Sequence, residues 1–227
     1  MLRQFSAVCG LLTLVLSPAI ISPANAEMPV TAGKIHRVFD VVRDGSKIGT
    51  DIVDIEKQGD TTIVKFTTKV LVKIMFIEAY RFESVASETW KGGQFVAFKS
   101  VSDDNGTKHT INVTSSGEKF HFEVDGRRSE VPKMPIPGTL WSRDVSKQNE
   151  VFDPSNGKRL SIKVKDLGDE TLTIGGTPRQ VRHFKVSGDL ERDLWYDGDY
   201  LIRMKLIGSD NTPVISDLRQ ATADPTR

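Results

Sequence analysis

The stretch "FKSVSDDNGTKHTINVTSSGEKFHF", residues 98–122, decides the fold. Asn105-Gly106 is its strongest signal, because a type I′ hairpin turn needs positive φ at both central residues. A two-residue loop there sets Asp104 opposite Thr107. Phe98 then meets Val113 and Ser100 meets Ile111 on one face, while Asp103 meets Lys108 and Lys99 meets Asn112 on the other. Reading Ser116-Gly117 as a second two-residue loop brings Phe120 opposite Val113 and Phe122 opposite Ile111. The apolar side separates from Lys99, Asn112, Thr114, Lys119 and His121, and a one-residue slip would mix the two sets.

The same period-two pattern extends from Ile35 to Ile207, punctuated by Asp44-Gly45, Gly59-Asp60, Gly92-Gly93 and Asp125-Gly126. Helical periodicity is nearly absent, so the chain reads as all-β. The expected architecture is an antiparallel meander of about ten to twelve strands, curled into an open barrel or half-barrel with one short helix. A sheet this wide encloses more space than its own side chains fill. Residues 27–227 form one domain in this reading, without linker, internal repeat or low-complexity block.

Residues 190–208, "LERDLWYDGDYLIRMKLIG", raise a choice between a site and a bend. A three-residue loop at Asp197-Gly198-Asp199 pairs Asp193 with Arg203, Glu191 with Lys205, Trp195 with Leu201 and Tyr196 with Tyr200. Opposite charges and apolar residues then face one another, which favours that register. Trp195, Tyr196 and Asp197 alternate between faces and do not converge. Arg192 falls opposite Met204, a cation among Leu190, Leu194, Ile202 and Leu206. Such a guanidinium either reaches a rim or a carboxylate, or anchors an acidic ligand.

Residues 131–157 break the pattern. The segment opens proline-rich, and Thr139 reads as the N-cap of a helix of about ten residues with Trp141 on its buried side. Two strands follow between Leu160 and Val186, with turns at Gly168 and Gly175-Gly176, and Arg219 to Arg227 reads as a frayed tail.

The N-terminus has the form of a secretory signal peptide over residues 1–26. Arg3 precedes an apolar run from Val8 to Ile21, and Ala24-Asn25-Ala26 supplies the small residues for cleavage after Ala26. The expected location is the periplasm. Cys9 is the only cysteine and lies within the signal, so the mature chain has no disulfide, thiolate nucleophile or cysteine metal site. Losing Arg3 leaves 30 Lys+Arg against 30 Asp+Glu, and basic residues cluster no further than pairs such as Arg127-Arg128. Nucleic acid is therefore not an expected partner, and no second apolar stretch reaches membrane-spanning length.

The catalytic inventory is thin. His36, His109, His121 and His183 sit in strands without metal-ligand spacing, and no nucleophile-elbow, phosphate-loop or dinucleotide sequence occurs. Asp44, Asp125, Asp197 and Asp199 sit at turns, where aspartate bonds its local backbone. No cofactor or metal is expected.

"SETWKGGQFVAFKS" (87–100), "NGTKHTINV" (105–113) and "VSGDLERDLWYDGDYLIRMKLIGSD" (186–210) resemble an uncharacterised family of exported bacterial β-proteins with an E-x-W strand end and a late W-Y-D hairpin. Such proteins are distantly similar to lipoprotein carriers of the Lol pathway and to lipid-binding barrels. The resemblance implies a fold and carries no catalytic residues. The leading expectation is a periplasmic, non-enzymatic binding protein for a lipid or other amphiphile. Arg192, Phe98, Phe120, Phe122, Trp141, Tyr196 and Met204 are the expected ligand-binding residues. A structural envelope protein with a filled core comes second, and a hydrolase with an unrecognised carboxylate site third.

Overall fold

A computed structural model describes residues 33–208 and 210–222. The expected signal peptide lies outside the described residues. The first eight strands form an up-and-down meander: β1 (Gly33–Arg43), β2 (Ser46–Gln58), β3 (Thr61–Ile74), β4 (Ile77–Lys91), β5 (Gln94–Asp104), β6 (Thr107–Ser116), β7 (Lys119–Val124) and β8 (Arg127–Val131). The remainder are β9 (Ile136–Pro137), β10 (Glu150–Phe152), β11 (Arg159–Ile174), β12 (Thr177–Gly188), β13 (Arg192–Asp197), β14 (Tyr200–Ile207) and β15 (Pro213–Ala221). All fifteen join one sheet, in which β1 pairs with β15 at the centre and β8 and β9 are the free edges. The fold is an open all-β half-barrel.

The strand count exceeds the expected one because β9 and β10 are two and three residues long, too short to display a period, and because β15 lies beyond the expected end of the pattern at Ile207. Residues 219–221, expected in the tail, belong to β15 and pair beside β1. Gly168 lies within β11, paired with His183 just after a bulge at Leu167, rather than at a turn.

The Asn105-Gly106 hairpin has the expected register, with Phe98 opposite Val113 and Asp103 opposite Lys108. The next hairpin keeps the expected faces but slides by two residues. Ser116 pairs with Lys119, so Phe122 meets Val113 and Val124 meets Ile111. Gly117-Glu118 forms the loop, with Gly117 at positive φ. A two-residue slide preserves side-chain parity, so the apolar pattern does not distinguish the two registers.

The late hairpin departs further. Gly198-Asp199 is its loop, Asp197 pairs with Tyr200, and a bulge on β14 then sets Trp195 opposite Arg203, Asp193 opposite Lys205 and Leu194 opposite Met204. Gly198 takes positive φ and Asp199 does not, the pattern of a type II′ turn. Arg203 finds its carboxylate on β15, where its Nη2 lies 2.6 Å from Asp217. The charge match expected within the hairpin is thus satisfied by the next strand. Trp195 and Tyr196 do face opposite sides, and they join different apolar clusters.

The segment between β8 and β11 crosses the concave face as a strap. Phe152 packs its ring against Phe95, Phe98 and Phe122, at centroid distances of 6.1, 5.1 and 6.3 Å. Ser100 and Ser102 on β5 donate to the carbonyls of Pro154 and Ser155. On the other flank, the Leu201 amide donates to the Trp141 carbonyl and the Arg143 amide to that of Asp199. One strap thereby bonds both flanks and curls the sheet around itself.

The expected ten-residue helix is absent. Only a 3₁₀ turn forms, Arg143–Lys147, capped by Ser142 rather than Thr139. Leu140, the first residue after the expected cap, takes a positive φ of 62°, outside the right-handed helical region. The backbone around Trp141 bonds to β14 instead of to its own next turn.

Gly157 lets the strap lie flat on β6 and β7. Its φ is +77°, and a Cβ there would stand 2.6 Å from a Val124 methyl and 3.0 Å from the Phe122 ring. Gly157→Ala is expected to destabilise the fold by about 1–3 kcal/mol, through backbone strain and overpacking. Denaturant unfolding checks this, and an unchanged midpoint would mean the strap does not dock there.

Candidate ligand-binding cleft

The strap closes the end of the curled sheet at Trp90 and Trp141 and then runs along β5 to β7. In a meander every second turn lies at the same rim, and the rim opposite Trp90 stays open between β3 and β14. A cleft of about 880 Å³ runs from Thr139 and Trp141 on the strap to Ile74, Ile207 and Gly208 at that rim. Strand alternation builds its walls. On β3, Phe66, Val70, Val72 and Ile74 point inward with Thr68, and on β4 Phe82, Ser84 and Ala86 do so. Met204 and Leu206 of β14 face them from the other flank.

Polar groups interrupt this wall at several points, among them an Arg43–Asp210 ion pair near the rim. Asp51 accepts a hydrogen bond from Ser216 at 2.8 Å. Burial pushes its carboxyl up, and the bonds from Ser216 and Thr68 hold it partly back. Tyr80 is pushed up to about 12 by burial and by its hydrogen bond with Asp104. Arg37 is buried, donates to the Leu201 carbonyl at 2.7 Å and lies over the Tyr200 ring.

Arg192 stands two residues after the β12–β13 turn, close to the open rim, and lines the cleft. Its hydrogen bond runs to the Glu191 carbonyl, at 2.7 Å. Among the described residues no carboxylate forms an ion pair with it. Burial pulls its guanidinium below the ordinary value, opposed by the charges of Asp153 and Glu191.

Of the other expected binding residues, Trp141 and Met204 also line this cleft. Tyr196 is fully buried beneath it, its hydroxyl donating to the Leu140 carbonyl at 3.0 Å. Phe98 and Phe122 pack on Phe152, and Phe120 stacks on Phe95. Tyr196, Phe98 and Phe122 belong to packed interior rather than to this cleft's wall, and partly buried Phe120 lines a smaller, separate pocket of about 390 Å³ beside Trp90 and Phe95. Phe66, Val70, Val72, Phe82 and Leu206 take the place expected of those four aromatics. Their alternation is visible in "TTIVKFTTKVLVKI", residues 61–74, but which inward residues stay uncovered depends on the strap's path.

Glu88 is the residue that sequence reasoning passed over. It is 0% exposed on β4. One carboxylate oxygen accepts both the Trp90 indole N–H, at 2.8 Å, and the Trp141 indole N–H, at 2.9 Å. The other oxygen bonds the Thr139 hydroxyl. Burial raises its pKa to about 7 against the pull of these three donors. Its signal in the sequence was the E-x-W pair, Glu88 and Trp90.

The histidines make local pairs. His36 bonds Asp54 and His109 bonds Asp125, while His183 stacks on Trp195 and bonds Asp193 at 3.1 Å. Among the described residues no group of three or more His, Cys, Asp or Glu side chains is arranged to hold a metal ion. No helix among them is long and apolar enough to cross a membrane.

The family model described as "Domain of unknown function (DUF6134)" matches residues 39–214. No curated protein matches the chain.

The Glu88 site makes stability depend on pH. Its folded pKa, about 7, lies above the ordinary value of 4.5, so protonation favours the fold. This contribution is complete below about pH 4.5, declines as pH rises and is lost above about pH 7. Its size is about 3 kcal/mol. Glu88→Gln can place its carbonyl on both indoles and its amide on the Thr139 hydroxyl, so it is expected to fold and to lack this slope. Glu88→Leu leaves two indole donors unpaired, at about 1–3 kcal/mol each. Unfolding free energies from pH 4 to 8 check both variants, and parallel profiles for wild type and the Gln variant would remove Glu88 as the titrating group.

Proposed function

The chain belongs to that family, whose description assigns no role, and we propose from its cleft that it is a non-enzymatic binding protein for an acidic amphiphile. The observation that carries this reading is a mainly apolar cleft of about 880 Å³ with a desolvated Arg192 near its mouth, in ion-pair contact with no carboxylate among the described residues. The volume lies in the usual range for small-ligand sites. Phe66, Val70, Phe82 and Leu206 would cover an acyl chain, at about 25 cal/mol per Å² of apolar surface buried. Arg192 would then meet a carboxylate or phosphate head with paired, charge-assisted hydrogen bonds. The signal-peptide form of residues 1–26 supports a place at the cell envelope, in the periplasm.

A second reading draws on the filled half of the interior, where Phe152 joins Phe95, Phe98 and Phe122. There the sheet and strap form a structural envelope protein, and the cleft is only space left by the strap.

Arg192→Met separates the two. With no carboxylate among the described residues paired to it, its loss is expected to leave the melting temperature equal or higher. Affinity for a fluorescent fatty acid is expected to fall about tenfold or more, while affinity for the matching fatty alcohol changes little. Titration by fluorescence, with native mass spectrometry of protein from its own cells, checks this. Binding of neither probe to the wild type would end the carrier reading in favour of the structural one.

A further inference from the structure

Four hairpin turns share the open rim, and they have nearly the same backbone. Asp44-Gly45, Asn105-Gly106 and Asp125-Gly126 place both central residues at positive φ, and so does Met75-Phe76, at 49° and 70°. Three of these use the Asp/Asn-Gly pair that a type I′ turn favours. The fourth holds two bulky side chains in a conformation they resist. Packing does not compensate for this. Phe76 is 100% exposed and Met75 85%, and Ile74 and Ile77 beside them are exposed as well. A local rule broken without gain to the fold marks a place selected for something else.

The hairpin also separates from its neighbours towards its tip. β2 stops pairing with β3 at Gly49–Val70 and runs on to Ser46 with β1 alone. β5 stops pairing with β4 at Asp104–Phe82 and turns back, while β3 and β4 go on pairing with each other to Ile74–Ile77, so the tip extends past the β5–β6 turn by about four residues, or about 13 Å. Its apolar surface continues inward, since Ile74 and Val72 behind the tip already line the cleft.

We propose that the Met75-Phe76 tip is a membrane-docking element that inserts into the interface of a phospholipid bilayer and sets the cleft's mouth against it. A narrow convex tip with four adjoining apolar residues fits an acyl boundary, whereas a protein partner would need a deep matching pocket. The charges at its base suit a zwitterionic surface. Lys73 faces Glu78, and Arg81 bonds Glu78 through two nitrogens, at 2.8 and 2.9 Å. Lys73 and Arg81 can extend their charged ends to the headgroup level, with partly exposed Tyr80 beside them as an interfacial aromatic. Insertion is driven by apolar burial rather than by a basic patch, so it depends little on anionic lipid. That docking serves to load the cleft from the bilayer rests on the amphiphile-binding reading above.

The double variant Met75→Asn/Phe76→Gly installs the turn its three neighbours already use. It is expected to melt at the same or a higher temperature. Flotation with phosphatidylcholine vesicles is expected to show wild-type protein bound and the double variant reduced at least about tenfold. Fluorescent fatty acid binding in solution is expected to be equal for both, since the cleft wall is untouched. Equal flotation of both proteins, or none for wild type, overturns the proposal. So does a wild-type dimer in sedimentation that the double variant abolishes without any flotation, because the tip would then be a self-association surface. Loss of flotation in the variant when neither protein binds the fatty acid supports docking and overturns the cleft's cargo, keeping the two readings apart.

Discussion

The fold hangs on one carboxylate that has no cation partner among the described residues. Indole nitrogens only donate, so a buried tryptophan needs an acceptor aimed at it. Glu88 supplies one oxygen to two of them, Trp90 on its own strand and Trp141 on the strap. The bond therefore fixes how deep the strap sits in the curled sheet. Because Trp141 is also part of the cleft wall, the same hydrogen bond sets where the cleft ends. A neutral Glu88 satisfies this geometry as well as an ionised one, since the Thr139 hydroxyl can accept as readily as it donates.

The interior is divided by the strap rather than by the sheet. Inward-facing residues alternate along every long strand, yet those on β5 to β7 meet Phe152 and become core, while those on β3 and β14 are core at Val64 and Ile202 and become cleft towards the rim. Packed and open halves thus share one pattern. The open half carries its charged groups at different depths: Arg192 and the Arg43–Asp210 pair near the rim, Asp51 on the wall and Arg37 beneath the strap.

This division explains what could be read from the chain alone. The all-β class, the open curl and the Asn105-Gly106 register follow from turn chemistry and period-two alternation, which are local. The Ser116-Gly117 register slid by two because parity is all that an apolar pattern encodes. The late hairpin was misread because Arg203 pairs with Asp217, a residue outside the hairpin. Phe98, Phe120, Phe122 and Tyr196 were rightly placed on apolar faces, but their assignment to a binding wall required the course of a strap with no periodicity. Glu88 stood in a recognised E-x-W pair, and its role needed Thr139 and Trp141, about fifty residues on.

The position of β1 bears on how the molecule is assembled. It is not an edge strand: it pairs with β2 on one side and with the last strand, β15, on the other, so that Arg37 lies beside Ala221. The first eight strands can form hairpin by hairpin as the chain emerges, each closing a short loop. The seam between β1 and β15 must wait for nearly the whole polypeptide, and it carries the largest loop-closure entropy in the sheet. Until it forms, β1 presents a free edge with Ile35, Phe39 and Val41 along it, a vulnerable template for pairing with another chain. A chain of this order gains from synthesis or export that delivers its final strand promptly.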